Sequence, residues 1–532
     1  MALRRRPVLH GFGAFLASLA LARSGGELAA AESTLRFGPA EPFGFEGLIE
    51  RARRLAQQPY ALPPRPAPEV VQRIDYDAHG KLRFRPEYAL HADGPGAYPV
   101  TFVFMGGFFP KSVRMHAVRE GMAREILYSP DYFTVDADSP ARELPADASA
   151  FAGLWLRESR LSGDWKPKEP WATFLGASYF RAVGELGQVG MSARGIALDV
   201  AGPNPEEFPD FVAHWIEEGA GEGEPVTVHS LLDGPSLSGA YRFRMSRGSG
   251  VVMEIEKHLF LRRDVERLGV APLTSMFWYG EYGRERQADW RPEVHDADTL
   301  VIWNGAGEHI LRPLNNPTRI FHTSYLDTNP KGFGLAQRDR NFDHYLDGVG
   351  YDKRPSTWVE PLGDWGRGMV QLVEVPTDDE IYDNIAAYWL PERPSRAGDA
   401  LSFRYRLHWL SDEPYFPAAE MAKVVATRMG RGGQPGKPRP RGVTKFTIEF
   451  LGGGLKDLPY GVRPEPVIWA SRGQPSLVQT EPVPNNVPGH WRVHFDLAVD
   501  GREPVDMRLF LRQGERTLSE TWLYLFEPPV TV

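Results

Sequence analysis

The sequence predicts an all-β protein. Turn formers are frequent, with 54 Gly and 47 Pro in 532 residues, and aromatic residues make up 12% of the chain. Short segments in which apolar and polar residues alternate recur between Gly, Pro or Asp turns, for example at 98–106, 226–234 and 238–246. Long helical periodicity is rare. Together these features are typical of antiparallel sheets joined by many turns.

Two segments nevertheless carry helical periodicity. The first is 45–58, whose predicted apolar face consists of Leu48, Ala52, Leu55 and Ala56. The second is 205–218, which we expect to form a short helix. Its inward-facing residues would be Phe208, Phe211, Val212 and Trp215.

The chain is long enough for two domains. We expect a large antiparallel β-sandwich over 32–410 and a linker over 411–422, where Pro and acidic residues are frequent. Residues 423–532 contain about seven short alternating strands, which is typical of an immunoglobulin-like sandwich. This sandwich would lack the usual disulfide, because the chain has no Cys.

The N-terminus has the pattern of an export signal over residues 1–31. Arg4–Arg6 precede an apolar run over 8–22, and three Ala residues end the segment at 29–31. The adjacent arginines resemble a twin-arginine signal, while general secretion remains an alternative. No later apolar run is long enough for a membrane-spanning helix. We therefore expect an exported mature protein.

Several classes of function are disfavoured. A formal net charge of −8 argues against a nucleic acid or an anionic membrane as partner. Without Cys there is no thiol chemistry, and Ser236 lacks the nucleophile-elbow pattern of serine hydrolases. His295 and Asp296 could bind a metal ion with His322, but their spacing matches no metal motif. We expect neither a metal nor an organic cofactor.

The stretch 273–317 combines aromatic and acidic side chains. Its aromatic residues are Phe277, Trp278, Tyr279, Tyr282, Trp290 and Trp303. Its acids include Glu281, Glu293, Asp296 and Asp298. Aromatic faces stack on sugar rings and carboxylates bind hydroxyls or transfer protons, so the stretch indicates a carbohydrate cleft. An aromatic core patch with exposed turn acids is an equally good interpretation of these residues alone.

Two acid-rich turns are candidates for catalysis, at 291–300 and 375–389. Glycoside hydrolysis needs one carboxylic acid to protonate the leaving oxygen and one carboxylate to activate water or attack the sugar. Turns from distant parts of the chain could supply one each. Their spacing alone is weak support, because Asp and Glu are common in turns as capping residues.

Several blocks in order along the chain resemble the family of periplasmic glucan biosynthesis proteins G and D. The blocks include FGFEGLIERARRLAQQPY, GASYFRAVGELGQVGMSARGIALD, LTSMFWYGE, RPEVHDADTL and YDNIAAYW. The resemblance implies an N-terminal sandwich similar to galactose mutarotase and an immunoglobulin-like C-terminal domain. It also implies a role in making osmoregulated periplasmic glucans, whose backbone is β-1,2-linked glucose. The twin-arginine pattern favours the D type, which is similar to inverting endo-β-1,2-glucanases.

The resemblance also implies site residues. Asp383 stands in the D-N-I position of the family's general acid, and Glu380 would lie beside it and tune its proton affinity. Asp296 takes the base-side position of the H-D-x-D turn, with Asp298 as the alternative. In this family the base is thought to reach the water through a proton relay.

The expected partner is β-1,2-glucan in the periplasm. Sugar stacking is assigned to the aromatic residues Trp278, Tyr279, Trp290, Trp303, Tyr325 and Tyr351. Two other roles stay open: a non-catalytic glucan-binding scaffold beside a membrane glucosyltransferase, and a transglycosylase that branches the glucan.

Overall fold

The computed structural model describes residues 35–63, 65–145, 148–219, 221–282 and 289–528. The signal peptide predicted over 1–31 lies outside these ranges. Strands account for 45% of the structure and helices for 10%, and the strands form several antiparallel sheets. The predicted all-β class is confirmed.

The α-helices of the described residues are short and lie near the N-terminus. They are α1 (Phe45–Ala56), α2 (Pro68–Arg73) and α3 (Tyr76–Lys81). The predicted helix at 45–58 is therefore confirmed, and it ends two residues early. Its buried face includes Leu48 and Ala52. No helix among the described residues is long and apolar enough to cross a membrane.

The strands follow one another along the whole chain. The first eleven are β1 (Arg36–Pro42), β2 (Arg83–Phe84), β3 (Val100–Phe104), β4 (Arg114–Arg119), β5 (Met122–Leu127), β6 (Phe133–Thr134), β7 (Phe151–Leu156), β8 (Ala172–Leu175), β9 (Tyr179–Ala182), β10 (Ser192–Arg194) and β11 (Ala197–Leu198). The next eleven are β12 (Asp210–Glu217), β13 (Val226–Asp233), β14 (Leu237–Arg247), β15 (Val251–Leu261), β16 (Leu268–Ser275), β17 (Phe277–Tyr279), β18 (Val294–His295), β19 (Thr299–Trp303), β20 (His309–Pro313), β21 (Phe321–Thr328) and β22 (Gly332–Ala336). The remainder are β23 (Ser356–Pro361), β24 (Arg367–Glu374), β25 (Ile385–Pro391), β26 (Ala400–Leu410), β27 (Lys423–Arg431), β28 (Val443–Leu451), β29 (Glu465–Ala470), β30 (Pro475–Pro482), β31 (His490–Ala498), β32 (Val505–Gln513), β33 (Arg516–Thr517) and β34 (Thr521–Phe526).

Two large sheets enclose the main core. The larger sheet has the order β1-β5-β4-β12-β13-β14-β15-β26-β23-β22-β19-β20-β34-β32-β29. The second sheet has the order β21-β24-β25-β16-β10-β9-β8-β7-β3. Side chains from the two sheets meet face to face: the ring centroids of Phe174 in β8 and Phe243 in β14 are 5.0 Å apart. This packing is that of a sandwich.

The C-terminal strands form a second, smaller sandwich that is joined to the first. The sheet β27-β28-β31-β30 faces the end of the larger sheet. The ring centroids of Phe446 in β28 and Phe526 in β34 are 5.1 Å apart. Strand β34 pairs in parallel with β20, through Ile310 with Thr521 and Leu311 with Trp522. The larger sheet therefore continues from one sandwich into the other. The domain boundaries at 410 and 422 stay predictions.

The helix predicted over 205–218 is wrong. This segment contains strand β12, which pairs antiparallel with β13 and parallel with β4. A β-bulge between Phe211 and Ala213 shifts the register, so Phe211 and Ile216 face the main core while Ala213 and Trp215 pack under α1. A strand that is buried on both faces and interrupted by a bulge shows no clean alternation, and its apolar spacing imitates a helix.

Candidate functional site

The two acid-rich turns are anchored to the same short segment, Ser275–Phe277 at the end of β16. The backbone N–H of Asp296 donates to the Met276 carbonyl at 2.8 Å. Asn384 is tied to the segment from both sides: its N–H donates to the Ser275 carbonyl, and its side-chain amide bonds the N–H and the carbonyl of Phe277 at 2.8 and 2.9 Å. These bonds fix the backbone at Asp296 and next to Asp383.

Asp383 is partly buried among charged groups. Burial raises the pKa of its carboxyl to about 7, and the negative charge of Asp296 acts in the same direction. Guanidinium groups oppose this rise, and they belong to Arg194, Arg181 and Arg354. Neutral pH is thus close to the pKa of this carboxyl, so the group can either hold its proton or give it up.

Asp296 is more deeply buried, with 7% of its surface exposed. Burial raises its pKa, and the attraction of Arg354 opposes the rise. The Nε atom of Arg354 lies 3.1 Å from Oδ1 of Asp296. Arg354 and Arg181 therefore act on both Asp296 and Asp383, and the charge of Asp296 raises the proton affinity of Asp383.

Two of these arginines come from neighbouring strands of the second sheet, and Arg354 comes from the segment before β23. Arg181 lies in β9 and Arg194 in β10, and the order β25-β16-β10-β9 brings both toward the turn that precedes β25. Nη1 of Arg194 donates to Oε1 of Glu206 at 2.6 Å. The Cζ atom of Arg194 lies 4.8 Å from the ring centroid of Tyr179. Neither arginine was predicted from the sequence as a site residue. The only signal was their position within a block that resembles the glucan biosynthesis family.

Glu380 belongs to a separate network around Arg291. Arg291 donates to both oxygens of Glu380, at 2.9 and 3.1 Å, and its Nη1 donates to Asp347 at 2.8 Å. Tyr351 donates its hydroxyl to Glu380 at 2.5 Å. Burial alone would raise the pKa of Glu380, but the hydrogen bonds from Arg291 and Tyr351 outweigh it and lower the pKa. Glu380 is therefore held as a carboxylate.

Asp298 has a different setting from Asp296. Its Oδ2 accepts the backbone N–H groups of Arg338 and Asp339, at 2.9 and 2.7 Å. Burial raises its pKa to about 6. These bonds connect Asp298 to the turn after β22, whereas Asp296 interacts with Arg354 and Asp383.

The predicted stacking residues are divided among several places. Tyr279 and Tyr351 are buried in one cluster, and Trp278 packs against it with its ring 5.1 Å from that of Tyr279. Trp290 is 69% exposed, so its ring is accessible to a ligand. The ring of Trp303 stacks instead on that of His309, with the ring centroids 5.0 Å apart.

The sixth stacking candidate, Tyr325, lies in β21 beside Arg312 and Glu374. Burial raises the pKa of its hydroxyl to about 12, while the charge of Arg312 acts in the opposite direction. These neighbours form the ion pair between the two large sheets and do not belong to the group around Asp383.

An aromatic cavity of about 200 Å³ adjoins Tyr179. Aromatic residues that line it are Phe108, Phe109, Tyr179, Phe208 and Phe211. Burial raises the pKa of the Tyr179 hydroxyl, the charge of Arg194 opposes the rise, and the charge of Asp383 adds to it, so Asp383 lies near this ring. From the sequence, Phe208 and Phe211 were expected to be core residues of a helix, and none of the five was expected at a binding site.

One group of side chains among the described residues is close enough to hold a metal ion. It consists of Glu293, Asp339 and His344. His322, considered as a metal ligand from the sequence, lies elsewhere, with its ring against Arg267 and the Ala201 carbonyl.

Comparison with known proteins identifies the family. The family model described as "Periplasmic glucan biosynthesis protein, MdoG" matches residues 43–526. Glucans biosynthesis protein D 2 of Ralstonia nicotianae is 58% identical over 507 residues, which is 94% of each chain. Glucans biosynthesis protein D of Stenotrophomonas maltophilia is 45% identical over 498 residues, 93% of this chain and 91% of the relative. The Xylella fastidiosa protein of the same name is 44% identical over 503 residues, which is 93% of this chain and 92% of the relative.

The chain belongs to the family of periplasmic glucan biosynthesis proteins. The resemblance drawn from the sequence blocks is confirmed, and these three relatives carry the D-type name. Membership assigns the chain a role in periplasmic glucan biosynthesis.

Proposed function

We propose that this protein is a periplasmic, inverting endo-hydrolase that cleaves the β-1,2-linked backbone of glucan. Asp383 is the general acid and Asp296 is the residue on the base side. The observation that carries the proposal is the pairing of these acids: both turns are tied to Ser275–Phe277, and the pKa of Asp383 is raised to about 7. A carboxylic acid with this pKa holds its proton near neutral pH and can donate it to the leaving oxygen.

Tyr351 supports a proton path on the base side. Its hydroxyl donates to Glu380, and burial followed by the charge of Asp296 raises the pKa of that hydroxyl. For Asp296 to act as the base, the phenol oxygen would take a proton from the attacking water while the hydroxyl proton turns from Glu380 to Asp296, so that one proton enters the phenol and one leaves it. Asp296 can then act on the attacking water without touching it. Glu380 holds the hydroxyl in position.

The accessible aromatic surfaces support a glucan as ligand. Trp290 offers an exposed indole ring, and the cavity beside Tyr179 offers several aromatic walls. Aromatic faces pack well against the apolar faces of sugar rings. A binding scaffold for a membrane glucosyltransferase would use the same surfaces, so an activity measurement has to separate the two roles.

The test is incubation of the purified mature protein with linear β-1,2-glucan, with linear β-1,3-glucan as the control substrate. We expect short β-1,2-oligosaccharides of mixed length, and proton NMR of early products should show inversion at the new reducing end. Retention with transfer products would support a transglycosylase instead. Binding of β-1,2-glucan without any product would contradict hydrolysis and favour the scaffold.

A further inference from the structure

A second group of acids surrounds a small cavity between β18 and β27. The cavity measures about 60 Å³, and its polar lining includes Glu281, Glu293, His295, Asp298 and Asp339. Asp296 and Asp383, the acids of the proposed hydrolase, do not line it. Carboxylates therefore predominate at a place that the proposed reaction leaves unused.

Glu293 has a buried oxygen that needs a partner. Only 2% of the residue is exposed, and its Oε2 lies 3.0 Å from Nε2 of His295. Its Oε1 has no hydrogen-bond donor among the described residues, and Nδ1 of His344 lies 3.8 Å away, too far for a hydrogen bond. Burying a charged oxygen without a donor is unfavourable, so this atom points to a bound cation.

The neighbours of Glu293 provide further ligands. One donor atom each from Glu293, Asp339 and His344 lie within 4.8 Å of one another. Small side-chain rotations bring such atoms to the distances of about 2.0–2.2 Å at which nitrogen and oxygen bind zinc. Asp298 lines the same cavity, and its buried Oδ1 also lacks a donor among the described residues.

We propose that Glu293, Asp339 and His344 bind a divalent metal ion of the first transition series, with Asp298 as a further oxygen ligand. One imidazole nitrogen with several carboxylates favours Zn²⁺ or Mn²⁺ over Ca²⁺, which prefers oxygen ligands alone. Asp296 and Asp383 do not line this cavity, and binding of the ion needs no glucan. The binding proposal therefore stands independently of the proposed hydrolysis.

The ion would connect two segments that lead to the acid site. Glu293 directly precedes β18, which is followed by Asp296, and Asp339 and His344 belong to the segment that leads to Tyr351. Without the ion, carboxylates repel one another across the cavity. Its role would be to hold both segments in place, so its loss lowers stability whatever the chemistry at Asp383.

The test is calorimetric titration of chelator-treated mature protein with ZnCl₂, MnCl₂ and CaCl₂. The variants are His344→Asn, Glu293→Gln and Asp343→Asn, the last an exposed acid in the same segment that serves as the matched control. We expect a single Zn²⁺ or Mn²⁺ per wild-type chain and the same for the control. Both site variants should bind at least tenfold more weakly.

The melting temperature is a second readout that does not depend on glucan cleavage. Zn²⁺ should raise it in wild type and in Asp343→Asn but not in His344→Asn, because a ligand bound only by the folded state stabilises that state. His344 is partly exposed, so this variant should still fold. The proposal is overturned by no binding in wild type, by unchanged binding in His344→Asn, or by binding of Ca²⁺ alone.

Discussion

At the residue scale, the proton affinity of Asp383 is the result of opposing neighbours. Burial and the charge of Asp296 favour the neutral carboxyl, whereas Arg194 and Arg181 favour the carboxylate. The balance leaves the pKa at about 7, more than an exposed Asp would have.

The pH dependence of glucan cleavage follows from this balance. The general acid must be protonated, so kcat/KM should fall about tenfold per pH unit once the pH rises above about 7, the folded pKa of Asp383. Asp296 must be ionised, and because burial raises its pKa, activity should also fall on the acid side. A profile of kcat/KM against pH measures both limbs.

Replacing an arginine should move the alkaline limb in a predictable direction. Arg194 lowers the pKa of Asp383, so Arg194→Gln should shift that limb to higher pH. The exposed pair Arg404 and Glu254 gives a control, Arg404→Gln, with an unchanged profile. A shift to lower pH in Arg194→Gln would contradict the assignment of Asp383.

The residues of the candidate site could be predicted only in part. Asp383 and Asp296 were identified because their short motifs resemble those of a family. The arginines at 181, 194 and 354 are scattered, and a charged residue in an alternating strand normally indicates a solvent-exposed face. Sheet order brings Arg181 and Arg194 together, and the segment before β23 adds Arg354; the local sequence encodes neither arrangement.

At the element scale, a buried ion pair joins the two large sheets. Arg312 in β20 and Glu374 in β24 are both fully buried, and Nη1 and Nη2 of the arginine lie 2.8 and 2.6 Å from the two carboxylate oxygens. The N–H of Asn315 donates to the same carboxylate at 2.6 Å. A pair of this kind fixes the sheets against each other, although its net stabilisation is small compared with the effect of losing one partner.

Removing the arginine should leave an uncompensated charge. Arg312→Met is expected to lower the free energy of unfolding by about 3–5 kcal/mol, as measured by urea denaturation. The double variant Arg312→Met/Glu374→Leu should recover most of that loss, because no buried charge remains. Arg512→Met, which breaks the exposed pair with Glu465, is the control and should change the midpoint little. Equal midpoints for the single and the double variant would contradict this interpretation.

Local sequence predicted the elements well where one face is solvent-exposed. Helix α1 was found because its buried residues repeat at helical spacing on one side. Strand β12 was taken for a helix because both of its faces are covered and a bulge interrupts it. The spacing of apolar residues does not identify a strand whose side chains are buried on both faces.

At the scale of the whole molecule, the two sandwiches share one sheet. Besides the pairing of β20 with β34, Arg338 joins the parts, since it donates to Glu413 at 2.7 and 3.0 Å and to Glu520 at 3.0 Å. Glu413 belongs to the stretch 411–422 that the sequence predicts as a linker. Tightly paired charges and a continuous sheet are expected to couple the unfolding of both parts.

We predict that the mature protein unfolds in a single calorimetric transition. A chain ending at residue 410 would lose β34 and expose β20 as an unpaired edge, so it should aggregate or melt at least 10 °C lower. Differential scanning calorimetry of both chains checks this. Two separate transitions in the mature protein, with the shortened chain matching one of them, would show that the sandwiches are independent.

The proposed hydrolysis depends above all on Asp383, which would donate the proton that breaks the glycosidic bond. The most direct measurement compares rates of β-1,2-glucan cleavage for wild type, Asp383→Asn and Asp378→Asn, an exposed acid in the same turn. We predict a loss of about 10²- to 10⁴-fold for Asp383→Asn, with glucan binding retained, and a wild-type rate for Asp378→Asn. Equal rates in Asp383→Asn and wild type would contradict the claim.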